Sequence, residues 1–422
     1  MNDGNLRGRR LYIPRMPFGG AKLVSAAFGS IGIEAEPTPE SDARTLELGN
    51  RYTSGDECLP AKVTMGDFLK VTEREDFDPS KTAFFMPTST GPCRFGQYQP
   101  YLRKVLRDKG LSEVLVFSPT SADGYGGIGA QARDLLRTAW RAIVASDILL
   151  KMLLKTRPYE LEKGMTDRVY HKCLDRLCDV LREQGIGHRQ RLKKLLRVMI
   201  RAREEFRRIP ADYNKERLLI GVVGEIFCRL NSFANENLIR KIEEHGGEVW
   251  LSDISEWIWY VIEEQKVNLK RAGKGLSLDM LRVKLRTWIQ KSDEHALLQL
   301  FRDDFRGYEE PHHIREILNY TEPYLPPRGS LGEMVLNVGK AIYLYNKGAD
   351  GIIDISPFTC MNGAVCEAVY PRVSRDHEDI PIKMFYFDGT AMDLDRDVGI
   401  FMELAKNYRR KKTKRRVYPF YF

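Results

Sequence analysis

No stretch of this sequence approaches the roughly 18 consecutive apolar residues of a membrane-spanning helix, and its opening, MNDGNLRGRRLYIP, lacks the apolar core of a secretion signal. A cytoplasmic protein with no membrane partner is the expectation. C-x-x-C pairs are absent, which argues against a zinc ribbon. A G-x-x-x-x-G-K-[ST] loop is absent as well, and so is the Asp-Gly-Ser-Thr strand turn of actin-like ATPases, so the chain is not read as a nucleotide hydrolase. Nor is there the cysteine density of a disulfide scaffold. Seven cysteines, an odd number scattered over 422 residues, predict free or metal-bound thiols.

What is present is the composition of a globular protein, 43% hydrophobic and 30% charged. At 422 residues the chain exceeds one ordinary core, which predicts two or three domains. The net charge of +9 is concentrated, because residues 409–416, RRKKTKRR, carry seven basic side chains and leave the remainder near balance. Such a run predicts a solvated or disordered end, with docking to an acidic partner as the second reading; nucleic acid is not expected.

Periodicity divides the chain further. Residues 1–129 alternate strand and helix signals, with RLYIPR, IEAEP, TAFFMP and EVLVFSP as short strands. Residues 130–215 switch to long amphipathic helices and read as a connector. From 216 to 408 the alternation returns, with RLLIGVVGEI, GEVWLSD, GIIDISP and IKMFYFDG as strands and a helical insertion at about 254–320. Residues 409–422 form a basic, aromatic tail. The expected fold class is α/β, two parallel-sheet lobes with helical insertions.

Three cysteines share a context. In IIDISPFTCMNGAVCEAV, alternating isoleucines stop at Ser-Pro and a helix start follows, which puts Cys360 in a strand-to-helix turn. Cys93, in FFMPTSTGPCRFGQYQPYL, has the same surroundings, and Cys58, in SGDECLPAKV, opens a helix with proline in its first turn. Turns of this kind lie at the carboxyl edge of parallel strands, where helix N-termini offer positive potential to thiolates. Cys228, in GVVGEIFCRLNS, falls a few residues past its strand and reads either as core or as a further ligand. Cys173 and Cys178, five apart on one helix, do not converge and read as core or boundary residues. Dispersed thiols at helix starts suit an iron–sulfur cluster, whose sulfides accept hydrogen bonds from backbone N–H groups. Ordinary small buried hydrophobes are the competing reading.

The segments RTLELGNRYTSGDECLPAKVTMGDF, TSTGPCRFGQYQ, IGVVGEIFCRLNSFANENLIRKIEEHGGEVW and LGEMVLNVGKAIYLYNKGADGIIDISPFTCMNGAV resemble the CoA protein activase and activase-related family, within the 2-hydroxyacyl-CoA dehydratase and double-cubane cluster superfamily. The resemblance covers both α/β regions. It implies a cluster of the [4Fe-4S] type in the cleft between the two lobes, held by three cysteines that match Cys58, Cys93 and Cys360. At Cys228 it implies a non-cysteine residue in many relatives. A double cubane implies more ligands than these three. A separate ATP-hydrolysing activator would feed the cluster low-potential electrons. The chain would then be an iron–sulfur dehydratase or ATP-coupled reductase component, acting on a small molecule or CoA thioester as a homodimer or beside a related subunit. With three thiolates, the fourth iron of a cubane could stay open for the substrate. The alternative is a non-catalytic iron–sulfur carrier or assembly partner.

Other residues carry weaker signals. Arg94 and Lys62 stand beside motif cysteines and read as screens for an anionic cluster or a CoA phosphate, or as solvated surface. Gly124–Gly129 matches G-x-G-x-x-G, yet it follows the last strand of its lobe and lacks a strand-end acid about twenty residues on. A loop on the substrate side is expected there. Asp388 with Gly389, Glu225 and Lys340 read mainly as structural, and His312 with His313 as a helix start.

Overall fold

The structure is a computed structural model that describes residues 6–88, 91–119, 132–330 and 332–417. The G-x-G-x-x-G segment at 124–129 lies outside the described residues. The chain divides into two compact units, residues 1–146 with 174–198 and residues 147–173 with 199–422. All eight strands form where the sequence signals placed them, in two four-stranded parallel sheets with helical insertions.

The first unit runs β1 (Arg10–Ile13), α1 (Phe18–Gly29), β2 (Ala35–Pro37), α2 (Ala43–Arg51), α3 (Leu59–Val71), β3 (Thr82–Phe85), α4 (Tyr98–Asp108) and β4 (Leu115–Phe117). Its sheet has the order β2-β1-β3-β4. Successive strand residues face opposite sides, and both sides are apolar here. Leu11, Ile13, Ala83 and Phe117 pack with Phe28 of α1. Tyr12, Phe84 and Val116 pack with Phe68 of α3 and Leu102 and Val105 of α4. Parallel strands need crossover connections, and the helices that make them cover the sheet on both faces, which is why both sides are apolar. The rings of Phe68 and Phe84 stack at 4.5 Å in the centre of the second layer.

Helices α2 and α3 cross closely because two glycines allow it. A Cβ on Gly66 would collide with the Thr45 carbonyl, and one on Gly49 with the Lys62 carbonyl. Asp42 caps α2 by accepting from Thr45 N–H at 3.1 Å, while the Thr45 and Ser41 hydroxyls each donate to the Asp67 carboxyl of α3 at 2.8 Å. This crossing sets the direction in which α3, and hence Cys58 at its start, emerges. Helices α5 (Ala132–Thr156), α6 (Met165–Arg182) and α7 (His188–Arg207) follow, and the division between the units runs through all three. The stretch read as a connector is therefore shared.

The second unit contains β5 (Leu218–Gly224), α8 (Ile226–Leu230), α9 (Leu238–Glu244), β6 (Gly247–Leu251), α10 (Ile254–Arg271), α11 (Leu278–Leu298), α12 (Ile314–Thr321), α13 (Glu333–Asn346), β7 (Gly351–Pro357), α14 (Met361–Asp376), β8 (Ile382–Phe387) and α15 (Leu394–Lys411). Its sheet has the order β6-β5-β7-β8, the same pattern as the first. In both, the order reverses between the first and third strands, the position outside which ligands collect in open α/β sheets. Strands β5 and β7 are buried along their whole length. Gly224, at φ +123°, ends β5 against the Ile355 backbone, where a Cβ would not fit. Among the described residues no helix is long and apolar enough to cross a membrane.

The basic tail is only in part the solvated end its composition suggested: Arg410, Lys411, Lys414 and Arg415 are exposed, but Lys412 and Arg416 are not. Helix α15 continues to Lys411, so the cations Arg409–Lys411 sit at a helix C-terminus, where they oppose the macrodipole. Lys412 turns inward and pairs with Asp350 at 2.6 Å, both 3% exposed. Arg416 pairs with the fully buried Glu248 at 2.5 Å, and Tyr159 and Tyr308 also donate to that carboxylate. The physical reason is that Asp350 and Glu248 lie buried at the start of β7 and within β6, and a buried carboxylate requires a cation or several donors.

Candidate functional site

Cys58, Cys93 and Cys360 each occupy the N-cap of a helix. Cys58 precedes α3, with Pro60 in its first turn, and Cys93 precedes the short 3₁₀ segment Arg94–Gln97 that leads into α4. Cys360 precedes α14. Cys93 follows β3 and Cys360 follows β7, so they occupy equivalent places, after the third strand of each sheet.

In the first unit, the Cys58 sulfur lies 2.8 Å from the Tyr98 hydroxyl. Exposed Cys93 accepts from Phe95 N–H at 3.5 Å. The two cysteine turns are tied together, because the Arg94 guanidinium donates to the Asp56 carbonyl. Beside them opens a cavity of about 470 Å³, whose lining includes Cys58, Arg94, Gln97 and Tyr98 together with Met65, Phe68, Met86 and Leu102. Its walls are mostly apolar with a few polar groups, the make-up of a small-molecule site. Lys62 instead donates to the Gly55 carbonyl at 3.4 Å.

In the second unit, Cys360 is half-buried, and its sulfur faces the backbone amides of Gly363 and Asn362. Burial pushes its thiol up to about 12, the carboxyls of Glu225 and Glu333 push in the same direction, and the two amides oppose them. A thiolate at Cys360 therefore needs a cation beside it. The residue before it, Thr359, has φ +67°, a left-handed conformation that a β-branched side chain adopts only under constraint. Glu225 caps α8 by accepting from Cys228 N–H at 2.8 Å, and Glu333 accepts from Ile226 N–H at 2.9 Å. Burial and the neighbouring Glu225 raise the Glu333 carboxyl to about 8, against the opposing pull of Arg229.

The remaining sequence candidates fall as follows. Cys228 is fully buried inside α8, and Cys173 and Cys178 are buried in α6. Lys340 is fully buried and pairs with Glu256 at 2.8 Å and with Glu310. Asp388 is exposed and accepts from Thr390 N–H at 2.8 Å. His313 sits immediately before α12, with its ring 2.6 Å from Lys291.

Sequence reasoning missed a buried group behind Cys360. Asp354, within β7, accepts from the Tyr370 hydroxyl at 2.5 Å, and burial lifts its carboxyl to about 6. Cys366 lies fully buried beside this pair, its sulfur 3.8 Å from the Met334 carbonyl. The available signal was an aspartate within a strand that is mostly apolar.

The donor chemistry suits an iron–sulfur cluster: soft thiols, each at a helix N-terminus with N–H groups at hand. The set is split, with Cys58 and Cys93 in the first unit and Cys360 in the second. Within neither unit do three or more histidine, cysteine or carboxylate side chains stand together as a metal site among the described residues. No protein-family model matches this chain, and no curated protein does.

Proposed function

We propose that the chain is an iron–sulfur protein in which Cys58, Cys93 and Cys360 hold a [4Fe-4S]-type cluster. Electrons from an ATP-hydrolysing activator would serve the reduction or dehydration of a small molecule or a CoA thioester. The observation that carries this reading is the equivalence of Cys93 and Cys360, each capping the helix after the third strand of its sheet, with Cys58 capping a third helix beside the Cys93 turn. Held by these three thiolates, a cubane would supply one-electron chemistry and could leave one iron for the substrate. The chain's own groups do the rest. Helix N-termini stabilise thiolate charge, Arg94 places a cation at the rim, and the wall of Met65, Phe68, Met86 and Leu102 receives an apolar substrate portion and excludes water. The Cys360 thiol, which burial pushes toward its protonated form, would have to give up its proton to hold iron.

A cluster-carrier role is the second reading, favoured by the exposure of Cys93, since an exposed ligand suits transfer of a cluster to an acceptor. Anaerobic purification with iron and sulfide analysis tests the first claim. About four irons per chain are expected, with most of the iron lost in each of Cys58→Ala, Cys93→Ala and Cys360→Ala. The buried exchanges Cys228→Val and Cys173→Ala should keep it. An iron-free protein, or full iron in any of the three variants, sinks the assignment for the residues concerned. Cluster transfer to an apo-acceptor without turnover in the presence of an activator would select the carrier.

A further inference from the structure

Helix α11 carries a line of apolar side chains turned to solvent. Leu278, Leu281, Leu285 and Trp288 are 71%, 62%, 56% and 68% exposed, whereas Met280, Val283 and Leu297 of the same helix are buried. Scattered exposed leucines need no explanation, but a contiguous patch does. The spacing of three, four and three residues repeats the a and d positions of a heptad, and at about 100° per residue the four side chains fall within about 80° of one another. Helices that lie on a bilayer present a broad apolar face. A seam this narrow is the geometry of helix pairing.

The flanks decide what pairs with it. Arg282 and Lys284, both exposed, occupy the e and g positions beside the seam. The nearby acid, Asp279, is already held by Arg282 at 3.2 Å. A second copy of the chain would set Arg282 and Lys284 each against itself if antiparallel, and if parallel would place Ser277 beside Arg282 and Ile289 beside Lys284, with no acid for either cation. Like charges at these positions reject a partner. We propose that the α11 seam docks an amphipathic helix of a protein partner, apolar at a and d and acidic at e and g. From Leu278 to Trp288 the seam measures about 15 Å, three turns of such a helix. This inference stands independently of the cluster reading.

Fluorescence anisotropy with two labelled synthetic helices tests it. Both carry leucine at a and d; one has glutamate at e and g, the other lysine. The full chain should bind the glutamate helix about tenfold tighter than the lysine helix, and more weakly as salt rises. The Leu281→Ser/Leu285→Ser chain should lose about tenfold or more in affinity with an unchanged circular dichroism spectrum, since both positions are exposed. The Arg282→Glu/Lys284→Glu chain should prefer the lysine helix. Absence of binding, or binding indifferent to flank charge, overturns the proposal. So does concentration-dependent self-association abolished by the double serine change, which would assign the seam to a second copy. Flotation with phosphatidylglycerol vesicles, lost in the same variant, would assign it to a bilayer and likewise overturn it.

Discussion

Asp67 is held between the hydroxyls of Ser41 and Thr45 at 2.8 Å each, and burial nonetheless lifts its carboxyl to about 6, because two neutral donors do not replace a hydration shell. Its folded-state value lies above the ordinary carboxylate value, so the folded state binds the proton more tightly than the unfolded chain. The stabilisation from that proton is complete below about pH 4 and is lost as pH rises through about 6. Asp67→Asn removes this titration. Urea unfolding of the wild type and the variant between pH 4 and 7 should show the wild type losing on the order of 2–3 kcal/mol relative to the asparagine chain as pH rises. Parallel pH curves would show that Asp67 does not titrate in this window. Thr359 illustrates a different residue-scale constraint, since its left-handed backbone aims the Cys360 turn at the cost of local strain.

At the scale of elements, the α2–α3 crossing is the contact most sensitive to a single atom. Alanine is the better helix former by about 1 kcal/mol, so Gly66→Ala would stabilise α3 in isolation. In the fold its methyl meets the Thr45 backbone carbonyl, which a side-chain rotation cannot relieve. A net loss of about 2 kcal/mol or more is expected from thermal or urea unfolding. Because α3 begins at Cys58, the shifted helix should also lower iron occupancy in anaerobically purified protein if Cys58 holds the proposed cluster. A variant as stable as the wild type would mean the two helices can part without consequence. The same element-level logic separates the cysteines. Those at N-caps offer their sulfur beside free N–H groups, whereas Cys228 and Cys366, inside helices, are enclosed by packing.

For the second unit as a whole, the C-terminal basic run acts as a structural strap. Lys412 also donates to the Ala349 carbonyl at 3.2 Å, while Asp350 accepts from Leu219 N–H at 2.7 Å, so one ion pair joins the start of β7 to β5. Removing Arg416 would leave Glu248 charged, buried and dependent on two tyrosines. Arg416→Ala is expected to cost about 3–5 kcal/mol, with little sensitivity to salt because the pair is shielded from solvent. Exposed Arg410→Ala should cost less than about 0.5 kcal/mol. Chemical unfolding of both variants at low and high ionic strength checks this. Equal effects would return the run to the role of a solvated tail.

Local patterns in the sequence determined the eight strands, the two parallel sheets and the helix starts at Cys58, Cys93 and Cys360, because strand alternation, proline in a first turn and strand-to-helix breaks act over a few neighbouring residues. The tertiary structure alone decided which buried carboxylates the basic run would satisfy, since Asp350 and Glu248 lie more than sixty and one hundred and sixty residues from their cations. It also decided that Gly49 and Gly66 face each other's helices, that a cavity opens between α3 and α4, and that Asp354, Tyr370 and Cys366 gather behind Cys360. The exposed seam of α11 belongs to both levels. Its heptad spacing is written in the chain, but only packing settles which of the helix's two apolar faces is buried, because periodicity specifies that a face is apolar and not what covers it.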